Sequence, residues 1–236
     1  MKITYCGDYE EMSALAATFT FNVLLEKKNL LLCAATGNSP TGLYSKLVEK
    51  IGNDRSLNRE IRIIKLDEWG GVPENHEVTC ERYLQKHVLE PLNIREEKYI
   101  SFKSDPVDPN DECIRIQTEL EREGPIDVCI LGVGKNGHIG FNEPGKSLHL
   151  HCHYAKLTEA SLSHTMVERM RQKPSYGMTL GMKDILDSRL IILLITGNQK
   201  ADIRKKLLDE KVRTDLPASF LWLHPNVECL IDQSYV

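Results

Sequence analysis

The chain has 236 residues, of which 41% are hydrophobic and 27% charged, and its formal net charge at pH 7 is -4. This composition is that of a folded globular protein and excludes a largely disordered chain. A net negative charge gives no general attraction to nucleic acid or to anionic membranes, so we expect neither as a partner.

The sequence contains no apolar stretch long enough to span a bilayer, and its first residues lack the basic and apolar segments of a signal peptide. We therefore expect a cytoplasmic protein. The seven cysteines are scattered and include no C-x-x-C pair, which predicts buried, reduced thiols.

Short apolar runs alternate with amphipathic stretches along the chain, as in strands joined by crossover helices. We predict one domain over residues 1–236, with an α/β fold built on a single doubly wound, mostly parallel sheet that carries helices on both faces, of Rossmann-like type. A glycine-rich loop is predicted directly after the third strand. The predicted strands are 2–6, 29–35, 61–66, 99–102, 126–131, 189–195 and 227–231, and the predicted helices are one capped by Asp8 and running to about Lys28, then 39–51, 80–89, 110–122 and 198–208.

Ligands bind at the carboxyl ends of the strands in open parallel sheets, so we expect the functional residues directly after the strands. After the second strand comes TGNSPTG (36–42), in which Gly37 permits a tight turn, Ser39 can cap a helix and Pro40 suits the first helical position. Such a helix start can bind an anion such as phosphate. A simple capped turn explains the residues equally well, and the ending of a P-loop is missing.

The third strand is followed by LDEWGG (66–71). Adjacent residues of an extended chain point in opposite directions, so Asp67 and Glu68 are not expected to enter the same pocket. One carboxylate is expected to function and the other to be structural. A general base, a metal ligand and a cap for a loop or helix all remain open for the functional one.

The stretch GVGKNGHIGFNEPG (132–145) follows the strand at 126–131 and begins with the pattern G-x-G-x-x-G of dinucleotide-binding proteins. The glycines and proline that come next would interrupt the long helix that such a site requires, which favours a loop. This loop carries His138 and Glu143, with Asn136 beside them. An imidazole can exchange protons at neutral pH and a carboxylate can orient it, so the pair predicts proton transfer.

Three histidines, His149, His151 and His153, recur at strand spacing on one face. A metal site is conceivable there, but surface histidines are the favoured interpretation, and no metal is predicted.

Together, GVGKNGHIGFNEPG, KLDEWGG and AATGNSPTGLY resemble the glucosamine/galactosamine-6-phosphate deaminase (isomerase) family, which is related to the 6-phosphogluconolactonases. The resemblance extends over essentially the whole chain, and KNGH and PASFLWLHP are similar to the galactosamine-6-phosphate branch. It implies an enzyme that converts an amino-sugar 6-phosphate to a ketose 6-phosphate and ammonia without a metal or an organic cofactor. A small sugar phosphate is the implied partner, and a homo-oligomer is left open.

The resemblance also implies residue roles. His138 would move a proton during opening of the sugar ring, with Glu143 and Asn136 as its partners. Asp67 would carry a proton from C2 to C1. Lys200, in TGNQK, would bind the phosphate together with the loop residues Thr36, Gly37, Asn38 and Ser39.

Three departures from the family pattern stand out. Asn136 occupies a position where glucosamine-specific members have aspartate, which makes a change of substrate more attractive than a loss of activity. The family's phosphate-binding arginine falls near Val167, and either Arg169 or Arg171 could replace it. Basic residues of the allosterically regulated members are missing at about 153 and 155, so we expect no activation by amino-sugar phosphates.

Two other functions remain as alternatives. One is a 6-phosphogluconolactonase-like hydrolase, in which the histidine would activate water. The other is a non-catalytic sugar-phosphate sensor, which Asn136 and the missing arginine would suit. The continuation IGFNEP favours the deaminase, because it supplies Glu143.

Overall fold

The computed structural model describes the whole chain except residues 53, 75, 77, 163–166, 168–172 and 236 and the side chains of residues 55, 160 and 235. The strands are β1 (Lys2–Cys6), β2 (Leu30–Ala34), β3 (Ile61–Lys65), β4 (Asp67–Gly70), β5 (Tyr99–Ile100), β6 (Val128–Gly132), β7 (His153–Ala155), β8 (Tyr176–Thr179), β9 (Leu190–Ile195) and β10 (Val227–Asp232). The α-helices are α1 (Tyr9–Glu26), α2 (Asn38–Ile51), α3 (Arg55–Asn58), α4 (Cys80–Leu84), α5 (Pro109–Glu123), α6 (Glu159–Leu162), α7 (Met182–Leu186) and α8 (Ala201–Leu208). A π-helical turn, Gln85–Leu89, continues α4, and short 3₁₀ segments lie at Glu96–Lys98, Asn198–Lys200, Pro217–Leu223 and Gln233–Tyr235.

Seven of the described strands form one sheet in the order β1-β10-β9-β6-β2-β3-β5. Each neighbouring pair in it is parallel. These are the seven strands that the sequence predicts, and the α/β fold class is confirmed.

The central strands are apolar along their whole length because both faces of the sheet are covered. In β2, the side chains of Leu30, Leu32 and Ala34 pack on one face against α1 and α2. Leu31 and Cys33 point to the other face, where they join a second core with α5 and α8. The two-residue period of a strand thus divides one apolar run between two cores.

The order in which successive strands are added across the sheet reverses between β2 and β6, which are parallel neighbours. From β2 the chain proceeds outward through β3 to β5, and from β6 it proceeds the other way through β9 to β10. Such a reversal leaves a crevice at the carboxyl ends of the two strands, because the loops that follow them diverge. The crevice lies beside the three sequence stretches with unusual chemistry.

The segment after β3 departs from the prediction. We expected a glycine-rich loop there, but Asp67–Gly70 forms β4, which pairs antiparallel with β8 in a second sheet of order β4-β8-β7. Gly70 faces the ring of Tyr176, where a β-carbon would lie 2.0 Å from Cε2. The glycine therefore permits close strand packing, which local sequence cannot distinguish from a turn.

Local signals at helix ends agree with the prediction where they are strongest. Asp8 caps α1 by accepting a hydrogen bond from the backbone N–H of Glu11 at 2.8 Å. All seven cysteines, each of which the structure describes, are free, and six of them are buried. Within the described part of the chain, none of the helices is both long and apolar enough to cross a membrane.

Candidate active site

A pocket opens at the carboxyl ends of β3, β2, β6 and β9, which are adjacent in the sheet. Each strand delivers one part of the predicted site to it. The pocket is lined by the predicted residues Thr36, Gly37, Asn38, Ser39, Asp67, His138 and Lys200, together with residues such as Cys80, Phe141 and Ser161 that the sequence did not single out. Asn136 and Glu143 lie behind His138 instead of in the pocket wall.

Asp67 lies at the start of β4, where it is paired with Thr179 of β8. Its side chain is partly buried and faces the pocket. Burial and the negative charge of Glu68 raise the pKa of Asp67, the charge of Lys65 opposes them, and the result is a pKa of about 7. A carboxylate with a pKa near neutrality can both take and return a proton.

Glu68 points away from the pocket, as the alternation along an extended chain predicts. Its side chain is fully buried and accepts a hydrogen bond from the ammonium of Lys65 at 2.8 Å. Asp67 is thus the carboxylate that lines the pocket, and Glu68 is part of the buried structure beside it.

Cys80 lies beside Asp67 and was not identified from the sequence. Its Sγ is 4.0 Å from Oδ1 of Asp67 and accepts a hydrogen bond from the hydroxyl of Thr36 at 3.3 Å. Burial, followed by the charges of Glu68 and Asp67, raises the pKa of this thiol, so it stays protonated. The residue occupies the first turn of α4, a position where the sequence gives no chemical signal.

His138 reaches the pocket from a loop, as predicted. In the described part of the chain, no helix directly follows the glycine pattern that precedes it. Gly134 is required by the ring itself, because a β-carbon there would lie 2.3 Å from Nε2 of His138. Asn142 ties the loop down by donating hydrogen bonds to the backbone oxygens of Ile139 and Leu180, both at 2.9 Å. The glycines therefore shape a loop that holds an imidazole, not a dinucleotide.

Glu143 supports the imidazole from behind. Its Oε2 lies 3.4 Å from Nδ1 of His138, and its Oε1 accepts a short hydrogen bond from the hydroxyl of Ser161. Burial would raise the pKa of Glu143, but hydrogen bonding and attraction to His138, with hydrogen bonds from Ser161 and Asn136, lower it to about 2. Glu143 is therefore a carboxylate throughout the neutral range.

Asn136 acts on the histidine indirectly. Its amide Nδ2 donates to Oε2 of Glu143 at 2.9 Å, and its Oδ1 accepts from the backbone N–H of His138 at 3.2 Å. The side chain thus orients Glu143 and the loop backbone, rather than the imidazole ring.

The loop after β2 begins α2, and its backbone turns at Gly37 with a φ of 107°, a value that favours glycine. Among the described residues, no side chain caps this helix start. The prediction that Ser39 caps the helix is wrong, because the helix already begins at Asn38 and Ser39 lies within its first turn. An uncapped helix start keeps N–H groups available for an anion.

Two tyrosines hold this loop from outside. The hydroxyl of Tyr9 donates to the backbone oxygen of Asn38 at 2.7 Å, and that of Tyr83 donates to the backbone oxygen of Gly37 at 2.8 Å. Because the acceptors in these two bonds are carbonyl oxygens, the bonds fix the loop without occupying the N–H groups of Gly37 and Asn38.

Lys200 lies at the end of the 3₁₀ segment that precedes α8, and its ammonium donates a short hydrogen bond to the backbone oxygen of Val133. Burial and the charge of Lys135 lower the pKa of Lys200 to about 8. A partly desolvated ammonium near an uncapped helix start is suited to a phosphate group.

The comparison of the sequence with known families decides the relationship. The family described as glucosamine-6-phosphate isomerases/6-phosphogluconolactonase matches residues 10–230. The chain belongs to this family. It is therefore an enzyme of the glucosamine-6-phosphate isomerase/6-phosphogluconolactonase family, as the motifs predicted.

Individual members of this family match nearly the whole chain. A protein of Escherichia coli (strain K12), AgaI, named as a candidate deaminase, is 42% identical over 225 residues, which are 95% of this chain and 89% of that protein. A glucosamine-6-phosphate deaminase of Geobacillus sp. (strain WCH70) is 37% identical over 237 residues, covering 99% of this chain and 94% of the relative.

Solved structures agree with the sequence relatives. A monomeric glucosamine-6-phosphate deaminase superimposes with a TM-score of 0.92 at 32% identity and covers 100% of this chain and 98% of that one. A 6-phosphogluconolactonase of Thermotoga maritima superimposes with a TM-score of 0.76 at 18% identity, covering 97% and 98% of the two chains, and shares the fold.

Two predictions concern residues at the edge of the family site. Arg169 and Arg171, the candidates for the phosphate-binding arginine, lie outside the described residues. The predicted row of histidines is not a single strand, because β7 includes only His153. His149 stacks on His153 with a ring separation of 4.2 Å, while His151 pairs with Asp184 at 3.3 Å.

Proposed function

We propose that this enzyme isomerises and deaminates an amino-sugar 6-phosphate, with galactosamine-6-phosphate as the first candidate substrate and tagatose-6-phosphate and ammonia as products. The observation that carries the proposal is that Asp67 and His138 line the same pocket as the start of α2 and Lys200. Two proton carriers and a phosphate site then surround one small space.

The phosphate is the part of the substrate that fixes its orientation. The uncapped N–H groups at the start of α2 and the ammonium of Lys200 would bind it. Holding the sugar by its remote phosphate makes each proton transfer intramolecular, which in well-aligned cases lowers a barrier by about 7 kcal/mol or more.

The first chemical step is ring opening. His138 takes the proton of the anomeric hydroxyl and delivers it to the ring oxygen, so the bond between C1 and the ring oxygen breaks and a C1 aldehyde forms. The nearby carboxylate of Glu143, 3.4 Å from Nδ1, stabilises the imidazolium that exists between the two transfers.

The second step uses Asp67. The aldehyde makes the C2 proton acidic, and Asp67 removes it to give an enolamine, then returns a proton to C1. The product is a 2-imine, which water hydrolyses to a ketone and ammonia. No electrons enter or leave, so the atoms of substrate and water balance those of the ketose phosphate and ammonia.

The choice of galactosamine-6-phosphate is supported by KNGH (135–138) and PASFLWLHP (217–225), which are similar to that branch of the family. Glucosamine-6-phosphate, which would give fructose-6-phosphate, is the second candidate, because two relatives described above are named for that substrate. The two sugars differ only at C4.

A 6-phosphogluconolactonase activity is a weaker alternative. The solved lactonases share the fold at under a quarter identity, for example 18% for that of Thermotoga maritima. The continuation IGFNEP, which supplies the carboxylate of Glu143 beside His138, favours the deaminase.

Ammonia release from galactosamine-6-phosphate and glucosamine-6-phosphate at matched concentrations tests the proposal, with hydrolysis of 6-phosphogluconolactone measured beside it. We expect ammonia from both hexosamine phosphates, with the higher kcat/KM for galactosamine-6-phosphate. Lactone hydrolysis without ammonia release would replace the proposal by the lactonase. Thermal stabilisation by a hexosamine phosphate without turnover would point to a sensor.

A further inference from the structure

Beneath Asp67 lies a lysine that the proposed chemistry does not use. The side chain of Lys65, the last residue of β3, has no exposed surface. Its ammonium donates to Glu68 at 2.8 Å, to Glu81 at 2.9 Å and to the backbone oxygen of Phe102 at 2.8 Å. Three acceptors match the three protons of an ammonium, so Lys65 is charged.

The partner Glu68 is equally well satisfied. Besides the ammonium of Lys65, its carboxylate accepts from the backbone N–H groups of Trp69 at 2.8 Å, Cys80 at 2.9 Å and Glu81 at 2.9 Å. One buried carboxylate therefore joins β3, β4 and the start of α4.

A buried ion pair is a costly way to fill this space. Desolvation of two charges often outweighs their attraction, and apolar residues of similar size frequently give equal or greater stability. The pair at Lys65 and Glu68 is thus poorly explained as a source of stability. The position of the ion pair offers a different explanation. Asp67 lies between Lys65 and Glu68 in sequence, and its side chain projects from the side of β4 opposite to that of Glu68.

We propose that the ion pair of Lys65 and Glu68 is a positioning and charge-balancing device for Asp67. This inference rests on the proposed function, in which Asp67 carries the proton between C2 and C1. Glu68 anchors the strand through its hydrogen bonds, so the side chain of Asp67 is directed into the pocket. Lys65 balances the negative charge that Glu68 places beside Asp67.

The charges around Asp67 determine whether a substitution of Lys65 or Glu68 raises or lowers the pKa of Asp67. Glu68, on β4, raises the pKa of Asp67 after burial has done so, and Lys65, on β3, lowers it. The thiol of Cys80, on α4, is the titratable group nearest on the third packed element, at 4.0 Å from Oδ1. Across the pocket stand His138 and Lys200.

The test is the pH dependence of kcat/KM for ammonia release in the wild type, Lys65→Met and Glu68→Gln. Loss of the positive charge in Lys65→Met should move the acid limb to higher pH. Loss of the negative charge in Glu68→Gln should move it to lower pH. Each shift should be at least about 0.5 pH unit. Disruption of packing alone gives no reason for opposite shifts.

Glu112→Gln is the matched control, because Glu112 is also a buried acid in an ion pair, with Arg115 on α5, and does not line the pocket. Its profile should coincide with that of the wild type. If either core variant fails to fold, Glu81→Gln serves in its place, since Glu81 is 25% exposed and its loss removes a negative charge that compensates the ammonium of Lys65, 2.9 Å away. Its acid limb should move to lower pH.

Opposite shifts in the two core variants, or the downward shift in Glu81→Gln, would support the inference. Active variants whose limbs coincide with that of the wild type, or shift in the same direction, would overturn it and leave the proposed function standing. A wild-type protein that releases no ammonia would overturn the proposed function itself.

Discussion

Oε2 of Glu143 lies 3.4 Å from Nδ1 of His138, and the carboxylate is held there by hydrogen bonds from Asn136 and Ser161. The pKa of Glu143 is near 2 because its burial is outweighed by the attraction and hydrogen bonds of these neighbours. The histidine therefore works beside a permanent negative charge whose position is set by two polar side chains.

Replacing that charge should impair ring opening. We expect Glu143→Gln to lower kcat by about 100-fold or more, because general acid and base catalysis is worth about 10² to 10⁴ and the glutamine cannot stabilise an imidazolium. The exposed residue Glu90 provides the control, since Glu90→Gln removes the same charge far from the pocket lining. Ammonia release measured with both variants checks the expectation, and equal rates would contradict it.

Asp67 should set the acid limb of the pH profile. Its pKa is about 7, so kcat/KM for ammonia release should fall as the pH drops below that value and the carboxylate becomes protonated. At pH 8, where Asp67 is ionised in the wild type, Asp67→Asn should lose about 100-fold or more of kcat, with a smaller change in KM, because the phosphate is bound elsewhere. A variant that retains near-normal ammonia production would refute the proton-carrier assignment.

The same group should affect stability in the opposite sense to most carboxylates. The folded chain holds the proton of Asp67 up to a pKa of about 7, whereas the unfolded chain releases it near pH 4. The contribution of Asp67 to the free energy of unfolding thus falls as the pH rises from about 4 to 7. We expect Asp67→Asn to melt at a higher temperature than the wild type at pH 8, with a smaller difference at pH 5, and thermal melts at both values measure it.

Lys200 should contribute to substrate binding more than to turnover. Loss of a charged hydrogen bond to phosphate in Lys200→Met should raise KM about 10- to 100-fold at pH 7. Its pKa of about 8 means that the wild-type KM should also rise above pH 8, as the ammonium loses its proton. Lys205→Met, on the exposed side of α8, should change neither quantity. A KM that is unaffected by Lys200→Met would place the phosphate at another position.

Asn136→Asp should reveal a contact between like charges. The new carboxylate would stand where an amide now donates to Glu143 at 2.9 Å, and two carboxylates that close retain a shared proton to higher pH. We expect the variant to lose more thermal stability at pH 8 than at pH 5, and more at pH 8 than Asn136→Ala.

The sequence predicted correctly those features that depend on residues close together in the chain. The apolar runs of the central strands predicted those strands because a strand covered on both faces is apolar along its whole length. The glycine pattern was correctly assigned to a loop since Gly140, Pro144 and Gly145 interrupt any helix. The second sheet was missed because β4 and β8 have only four residues each and pair across more than 100 positions of the chain.

The place of Cys80 in the pocket could not be predicted from its neighbours in sequence. Nothing in HEVTCERY marks a thiol that touches both Asp67 and Thr36, since those contacts join a helix start to two separate strand ends. Lys65 was likewise ordinary in the sequence, because a lysine at the end of a strand is normally solvated. Its full burial depends on α4 and on Phe102, which pack over it from other parts of the chain.

The order of residue types along the chain was enough to predict the α/β fold and the family, and to single out a pair of carboxylates, an imidazole and a lysine as candidates for the site, because strand composition, turn residues and motif spacing are all local properties. Only the tertiary structure decided which of the two carboxylates faces the pocket and has a raised pKa. It also decided which side chains lie beside the imidazole of His138 and orient it. Those properties depend on burial and on charges a few ångströms away, and these are contributed by residues distant in sequence.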